Sequence, residues 1–141
     1  MCEAPPAWSL SKQIPSSKDA AHAAIENLLA ALTDRGWDGR DFFHVQMAVE
    51  EAMINAVTHG NREAADKVVE LDFKVSSQAV EVRIADQGEG FCPEALADPR
   101  DDEHLQQTNG RGVMLMRAMM NEVHFNARGN EVFMLKLRYQ D

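Results

Sequence analysis

Val69-Glu70-Leu71-Asp72-Phe73-Lys74-Val75-Ser76-Ser77-Gln78-Ala79-Val80-Glu81-Val82-Arg83-Ile84-Ala85-Asp86 is the stretch on which the fold turns. Val69, Leu71, Phe73 and Val75 alternate with Glu70, Asp72 and Lys74, the period of a strand with one covered face. Ser76-Ser77-Gln78 turns the chain, and Val80, Val82 and Ile84 resume the alternation up to Asp86. Two neighbouring antiparallel strands follow from that pattern. No helix separates them, so the β-α-β alternation of a parallel sheet is absent here.

Upstream, Trp8 to Ile14 reads as a first strand among Pro5, Pro6 and Pro15. Ser16 or Ser17 can cap a helix reaching about Leu32, with Ala21, Ile25, Leu28, Leu29 and Leu32 at helical spacing and Gly36 beyond its end. A second helix is predicted from Asp41, as N-cap, to Thr58, closed by Gly60-Asn61. Downstream, Phe91 to Asn109 has two prolines and little periodicity, which predicts a long loop. Val113 to Val123 returns to helical spacing. Val123, Phe125 and Ala127, then Phe133, Leu135, Leu137 and Tyr139, predict two more strands joined by an Arg128-Gly129-Asn130 turn. The order β-α-α-β-β-loop-α-β-β predicts an α+β fold: a two-layer sandwich with a mixed, mostly antiparallel sheet and helices on one face.

The chain of 141 residues is long enough for one domain, residues 1–141, and its 45% hydrophobic content supports a packed core. With 14 basic and 23 acidic residues the net charge is -9, which argues against direct nucleic-acid binding. Cys2 and Cys92 are too few and too far apart for a disulfide framework, and they suggest a reducing, cytoplasmic setting. No apolar run suggests a membrane span, and no signal-peptide layout is present.

Three short motifs carry the chemistry. In the second helix, Glu51 and Asn55 are four residues apart and project about 40° from one another, with Thr58 on the same stripe. Phe42, Val45, Val49, Met53 and Ala56 form the opposite, core-facing side. Met47 and Ile54 flank the polar stripe, as they would the wall of a pocket. One reading is an exposed Glu/Asn pair. The other is that the Asn55 amide oxygen holds Mg²⁺ while Glu51 takes a proton from an attacking nucleophile. Glu50 points about 100° away and is the weaker base. His59 sits at the helix end, where a cap or dipole role suits it.

Asp86-Gln87-Gly88-Glu89-Gly90-Phe91 follows the hairpin directly. Gly88 and Gly90 permit close backbone approach, and a carboxylate at a strand end can accept a hydrogen bond from the amino group of adenine. The same letters also describe an ordinary turn. Gly110-Arg111-Gly112 precedes a helix whose free amides can bind anions. Absent are the G-x-x-x-x-G-K-[ST] phosphate loop, the dinucleotide G-x-G-x-x-G, and the H-R-D and D-F-G segments of eukaryotic-type kinases.

E-x-x-x-N-A on a helix, D-x-G-x-G-F after a strand and G-R-G-V-x-L-M opening a helix resemble the GHKL (Bergerat-type) superfamily, which includes DNA gyrase, mismatch-repair and heat-shock ATPases and histidine kinases. Within it, the stretches Val49–Asn61, Asp86–Phe91 and Gly110–Val123 are most similar to the small anti-sigma-factor serine kinases of bacteria. The resemblance implies ATP between the helices under a lid at about 91–109. Asn55 would hold Mg²⁺, Asp86 would read adenine, and Gly88, Gly90, Thr108, Gly110, Arg111 and Gly112 would shape the nucleotide pocket. Glu51 would be the catalytic base for γ-phosphoryl transfer to a serine of an anti-anti-sigma protein. Such kinases also sequester a sigma factor and are often homodimers; neither nucleic acid nor membrane is a partner. Asn121 departs from the family pattern, where aspartate often precedes Glu-Val, a change expected to touch helix capping. The competing function is a non-catalytic module in which ATP only sets the affinity for a protein partner. A two-component sensor fragment is disfavoured by the lack of an upstream helix with a phospho-accepting histidine.

Overall fold

The structure, a computed structural model, describes residues 6–88 and 108–139, the stretch 108–111 as backbone only. Its elements are β1 (Trp8–Pro15), α1 (Lys18–Asp34), α2 (Gly39–Ile54), a π-helical turn (Asn55–Gly60), β2 (Val68–Val75), β3 (Ala79–Ala85), α3 (Thr108–Met119), β4 (Glu122–Phe125) and β5 (Glu131–Leu137). The strands form one five-stranded sheet in the order β1-β2-β3-β5-β4, and every pairing in it is antiparallel.

The alternation of the hairpin translates directly into two faces. Val69, Leu71, Phe73 and Val75 from β2 and Val80, Val82 and Ile84 from β3 are buried. So are Val132 and Met134 from β5, and together these side chains meet one helical layer. That layer presents Ala24, Leu28 and Leu32 from α1 and Val45, Val49 and Met53 from α2, all at helical spacing. α2 lies in the middle of the layer, packed against both α1 and α3. On the other sheet face Arg83 gathers Asp72 (2.6 Å), Glu70 (3.2 Å) and Glu131, so that face is polar and ion-paired. Among the described residues no helix is long and apolar enough to cross a membrane.

Ser17 caps α1, its side chain accepting from the Ala20 N–H at 3.1 Å. α2 starts earlier than predicted, with Asp38 at the N-cap position and without a side-chain capping bond. Asp41, expected as the cap, lies in the first turn, and its carboxylate accepts from the Tyr139 N–H at 2.7 Å and faces Lys136 at 3.7 Å. The regular helix also stops at Ile54 and gives way to the π turn. α3 begins at Thr108, inside the segment expected as a lid, and ends at Met119. The rest of that expected lid, 91–107, lies outside the described residues. Asn121, expected to touch helix capping, joins the end of α3 to β5: its Oδ1 accepts the Leu137 N–H at 2.8 Å.

Candidate functional site

α2 brings the Glu51 side chain up against α3. A Cβ placed on Gly112 would overlap the Glu51 carboxylate and press on Asn55 Nδ2, so the absence of a side chain at Gly112 lets the two helices meet. The sequence places Gly110-Arg111-Gly112 before a helix; the structure puts all three inside the first turns of α3. Glycine is a poor helix former, and the close approach at Gly112 explains its presence there.

Asn55 stands where the α-helix becomes π-helical. Its Oδ1 is buried and has no hydrogen-bond partner among the described residues. Unpaired buried acceptors are costly and often mark functional sites, as π turns do. Burial raises the pKa of Glu51, and the nearby His59 partly opposes that shift. Thr58 does not share this stripe. The i→i+5 hydrogen bonding of the π turn, seen at Asn61 N–H to Ala56 O (2.9 Å), winds more slowly. Thr58 therefore faces a groove of about 540 Å³ between α1 and α2, lined also by Ile25, Met53 and Ile54. That groove is the larger cavity, but it holds neither Glu51, Asn55 nor Asp86.

Asp86 closes β3 on the other side of Asn55, and a small cleft of about 30 Å³ is lined by both together with Ile84, Met116, Phe125 and Asn130. The carboxylate abuts Gly60 at the end of the π turn, where any Cβ would collide with it. Its Oδ1 accepts the Gly88 N–H at 2.8 Å. Burial raises the Asp86 pKa, while the Gly88 N–H, Arg128 and Lys67 pull it back. Gly88 is packed so tightly that a Cβ would strike the Gly60 carbonyl. Residues from three separated segments thus surround one cleft. Gly90 lies outside the described residues, as do the side chains of Thr108 and Arg111; Thr108, Gly110 and Arg111 contribute backbone to α3.

Sequence reasoning missed the residues that fix this arrangement. Asn61, noted only as a helix terminator, is wholly buried. Its amide donates to Ser16 Oγ (2.7 Å) and Val68 O (2.9 Å) and accepts from the Gln87 N–H (2.7 Å). The ends of β1, the π turn, β2 and β3 are tied by that single side chain. The Arg128-Gly129-Asn130 turn reaches the cleft because β5 pairs with β3. The sequence marks Asn61 only as part of a helix stop, and nothing in the local pattern marks the predicted Arg128-Gly129-Asn130 turn as part of the cleft.

The antiparallel sheet lies under one helical layer, Asn55 and Asp86 line one cleft, and Gly112 packs against both Asn55 and the neighbouring Glu51 carboxylate. The chain belongs to the histidine kinase-like ATPase domain family, whose model matches residues 14–136. It is 23% identical over 129 residues to the serine-protein kinase RsbW of Oceanobacillus iheyensis, covering 87% of this chain and 82% of that protein. It is 31% identical over 100 residues to the serine/threonine-protein kinase BtrW of Bordetella bronchiseptica, 70% of each chain. Among solved structures it resembles the RsbU and RsbW domains of Rv1364c from Mycobacterium tuberculosis, with a TM-score of 0.59 and 17% identity. That match covers 94% of this chain and 33% of the longer one, and it shows a shared fold.

Proposed function

We propose that this chain is an ATP-dependent serine protein kinase and anti-sigma factor that phosphorylates a small anti-anti-sigma protein in the cytoplasm. By that reaction it would switch a sigma factor between free and sequestered states, acting as a homodimer. The observation that carries the reading is the packing of Gly112 onto Glu51 and Asn55, with Asp86 lining the same cleft as Asn55. The names of the relatives, serine-protein kinase and serine/threonine-protein kinase, support the same activity.

In this reading Asp86 accepts a hydrogen bond from the 6-amino group of adenine, and Gly60 and Gly88 let the π turn and the end of β3 close tightly around that carboxylate. The first-turn amides of α3 point their free N–H groups at the phosphates, and the helix dipole favours the negative charge. Asn55 is the residue that would hold Mg²⁺, since its buried Oδ1 lacks a partner among the described residues and the ion prefers oxygen ligands. When bound, the ion neutralises charge on the β- and γ-phosphates. Glu51 accepts the proton of the acceptor serine as the serine oxygen bonds the γ-phosphorus and the bond from that phosphorus to the β-γ bridging oxygen breaks, releasing ADP. Partial burial strengthens Glu51 as a proton acceptor.

The test is incubation with γ-labelled ATP and an anti-anti-sigma protein. Label on an acceptor serine is the expected result. Tight ATP binding with no transfer to any such acceptor would replace the kinase by a nucleotide-controlled binding module.

A further inference from the structure

The β4–β5 turn does more at the cleft than close a hairpin. Asn130 holds both polar groups of the Asp86 peptide: its carbonyl accepts the Asp86 N–H at 2.8 Å, and its side-chain amide donates to the Asp86 carbonyl at 2.8 Å. Asn126 keeps this turn in shape, its Oδ1 accepting from Gly129 N–H (2.8 Å) and Asn130 N–H (3.1 Å) and its Nδ2 donating to Asn130 Oδ1 (2.8 Å). Between them, Arg128 sends its guanidinium back to the Gly88 carbonyl at 3.0 Å. Gly88 in turn donates its N–H to Asp86 Oδ1. A single exposed arginine therefore pins the glycine that orients the carboxylate.

We propose that Arg128 is a positioning residue for nucleobase selection, holding Gly88 and so aiming the Asp86 carboxylate at the 6-amino group of adenine. The inference rests on the ATP-binding reading above and adds to it the residue that sets the purine preference. The cation beside Asp86 acts in the same sense as the tether, because it favours the ionised acceptor over a protonated carboxyl. Lys67 is the other positive charge acting on Asp86. Glu131, the other ionisable group among the described residues lining the cleft, is engaged by Arg83.

ATP and ITP share ribose and phosphates and differ at position 6, where adenine offers an amino donor and hypoxanthine a carbonyl acceptor. Adenine N1 accepts whereas hypoxanthine N1–H donates, but a carboxylate aimed at position 6 itself gains from the amino group and is repelled by the carbonyl. Affinities of Mg-ATP and Mg-ITP are measured by calorimetry for the wild type, Arg128→Met and Arg128→Lys. Wild type is expected to prefer ATP. Arg128→Met should lose about tenfold in ATP affinity, the contribution of one charge-assisted hydrogen bond, with little change for ITP. Arg128→Lys, which keeps the charge and a donor, should recover most of the preference. Equal weakening toward both nucleotides, or no change in either, would overturn the role of Arg128 while leaving ATP binding in place. A wild type that binds neither nucleotide would instead remove the ATP reading itself.

Discussion

Glu51, the proposed base, sits where burial sets reaction and fold against one another. Its carboxylate is partly buried against the first turns of α3, and burial raises its pKa. Glu51→Gln preserves shape and removes the proton acceptor. Phosphoryl transfer should fall about 10²–10⁴-fold, with ATP affinity retained; transfer at the wild-type rate would dismiss Glu51 as the base. The raised pKa also has a consequence for stability. The folded chain holds the Glu51 proton at pH values where the unfolded chain has released it, so stability drops as pH climbs through that window. Glu51→Gln should therefore melt higher than wild type at neutral pH, and the advantage should shrink as pH falls toward the ordinary glutamate range. Melting curves of the two proteins between acid and neutral pH check the sign, and a variant no more stable than wild type at pH 7 would refute it. For activity the direction reverses: the acid limb of the rate profile should lie above the ordinary glutamate range, because the base works only when ionised.

Among elements, the hairpin of β2 and β3 was readable because one buried face imposes a strict period of two, and its register places Phe73 opposite Val82 and Leu71 opposite Ile84. The π turn was not readable. It alters hydrogen bonding without altering residue types, so Thr58 was assigned to the wrong wall. The start of α3 was hidden for the opposite reason: Gly110 and Gly112 speak against a helix locally, and packing against α2 overrides that preference. The close packing makes Gly112→Ala a sharp test of the helix contact. The added methyl has to displace Glu51 or Asn55, so transfer activity should fall steeply while far-ultraviolet dichroism stays native. An alanine variant with full activity would show that the helices do not meet there. Asn61 links four element ends, and its removal strands the groups it serves. Asn61→Ala should cost about 3 kcal/mol, since each buried group left unpaired costs about 1–3 kcal/mol. Denaturant melts measure this, and because Gln87, beside Gly88, loses its anchor, ATP affinity should weaken in parallel.

For the whole molecule, the strand order decides what the site is made of. Local pattern yields five strands, but only the insertion of β5 between β3 and β4 delivers Asn130 and Arg128 to Asp86. Such long-range pairing leaves no trace in a window of a few residues, which is why the site's three motifs were legible and its fourth wall was not. The same arrangement predicts how the molecule responds to its ligand. A nucleotide held by β3, α2 and α3 at once binds the folded chain and not the unfolded one, so it must stabilise by mass action. At a nucleotide concentration a hundredfold above Kd the gain is about 2.7 kcal/mol, roughly 6–10 °C in Tm for a chain of this size. Chelation of Mg²⁺ should remove most of that shift. Asn55→Ala should show the small shift with or without the ion, because the amide oxygen unpartnered among the described residues is gone. If chelation left the wild-type shift intact, ATP binding would stand and Asn55 would lose its metal role. If nucleotide gave no shift in either condition, the three segments would share a cleft without sharing a ligand.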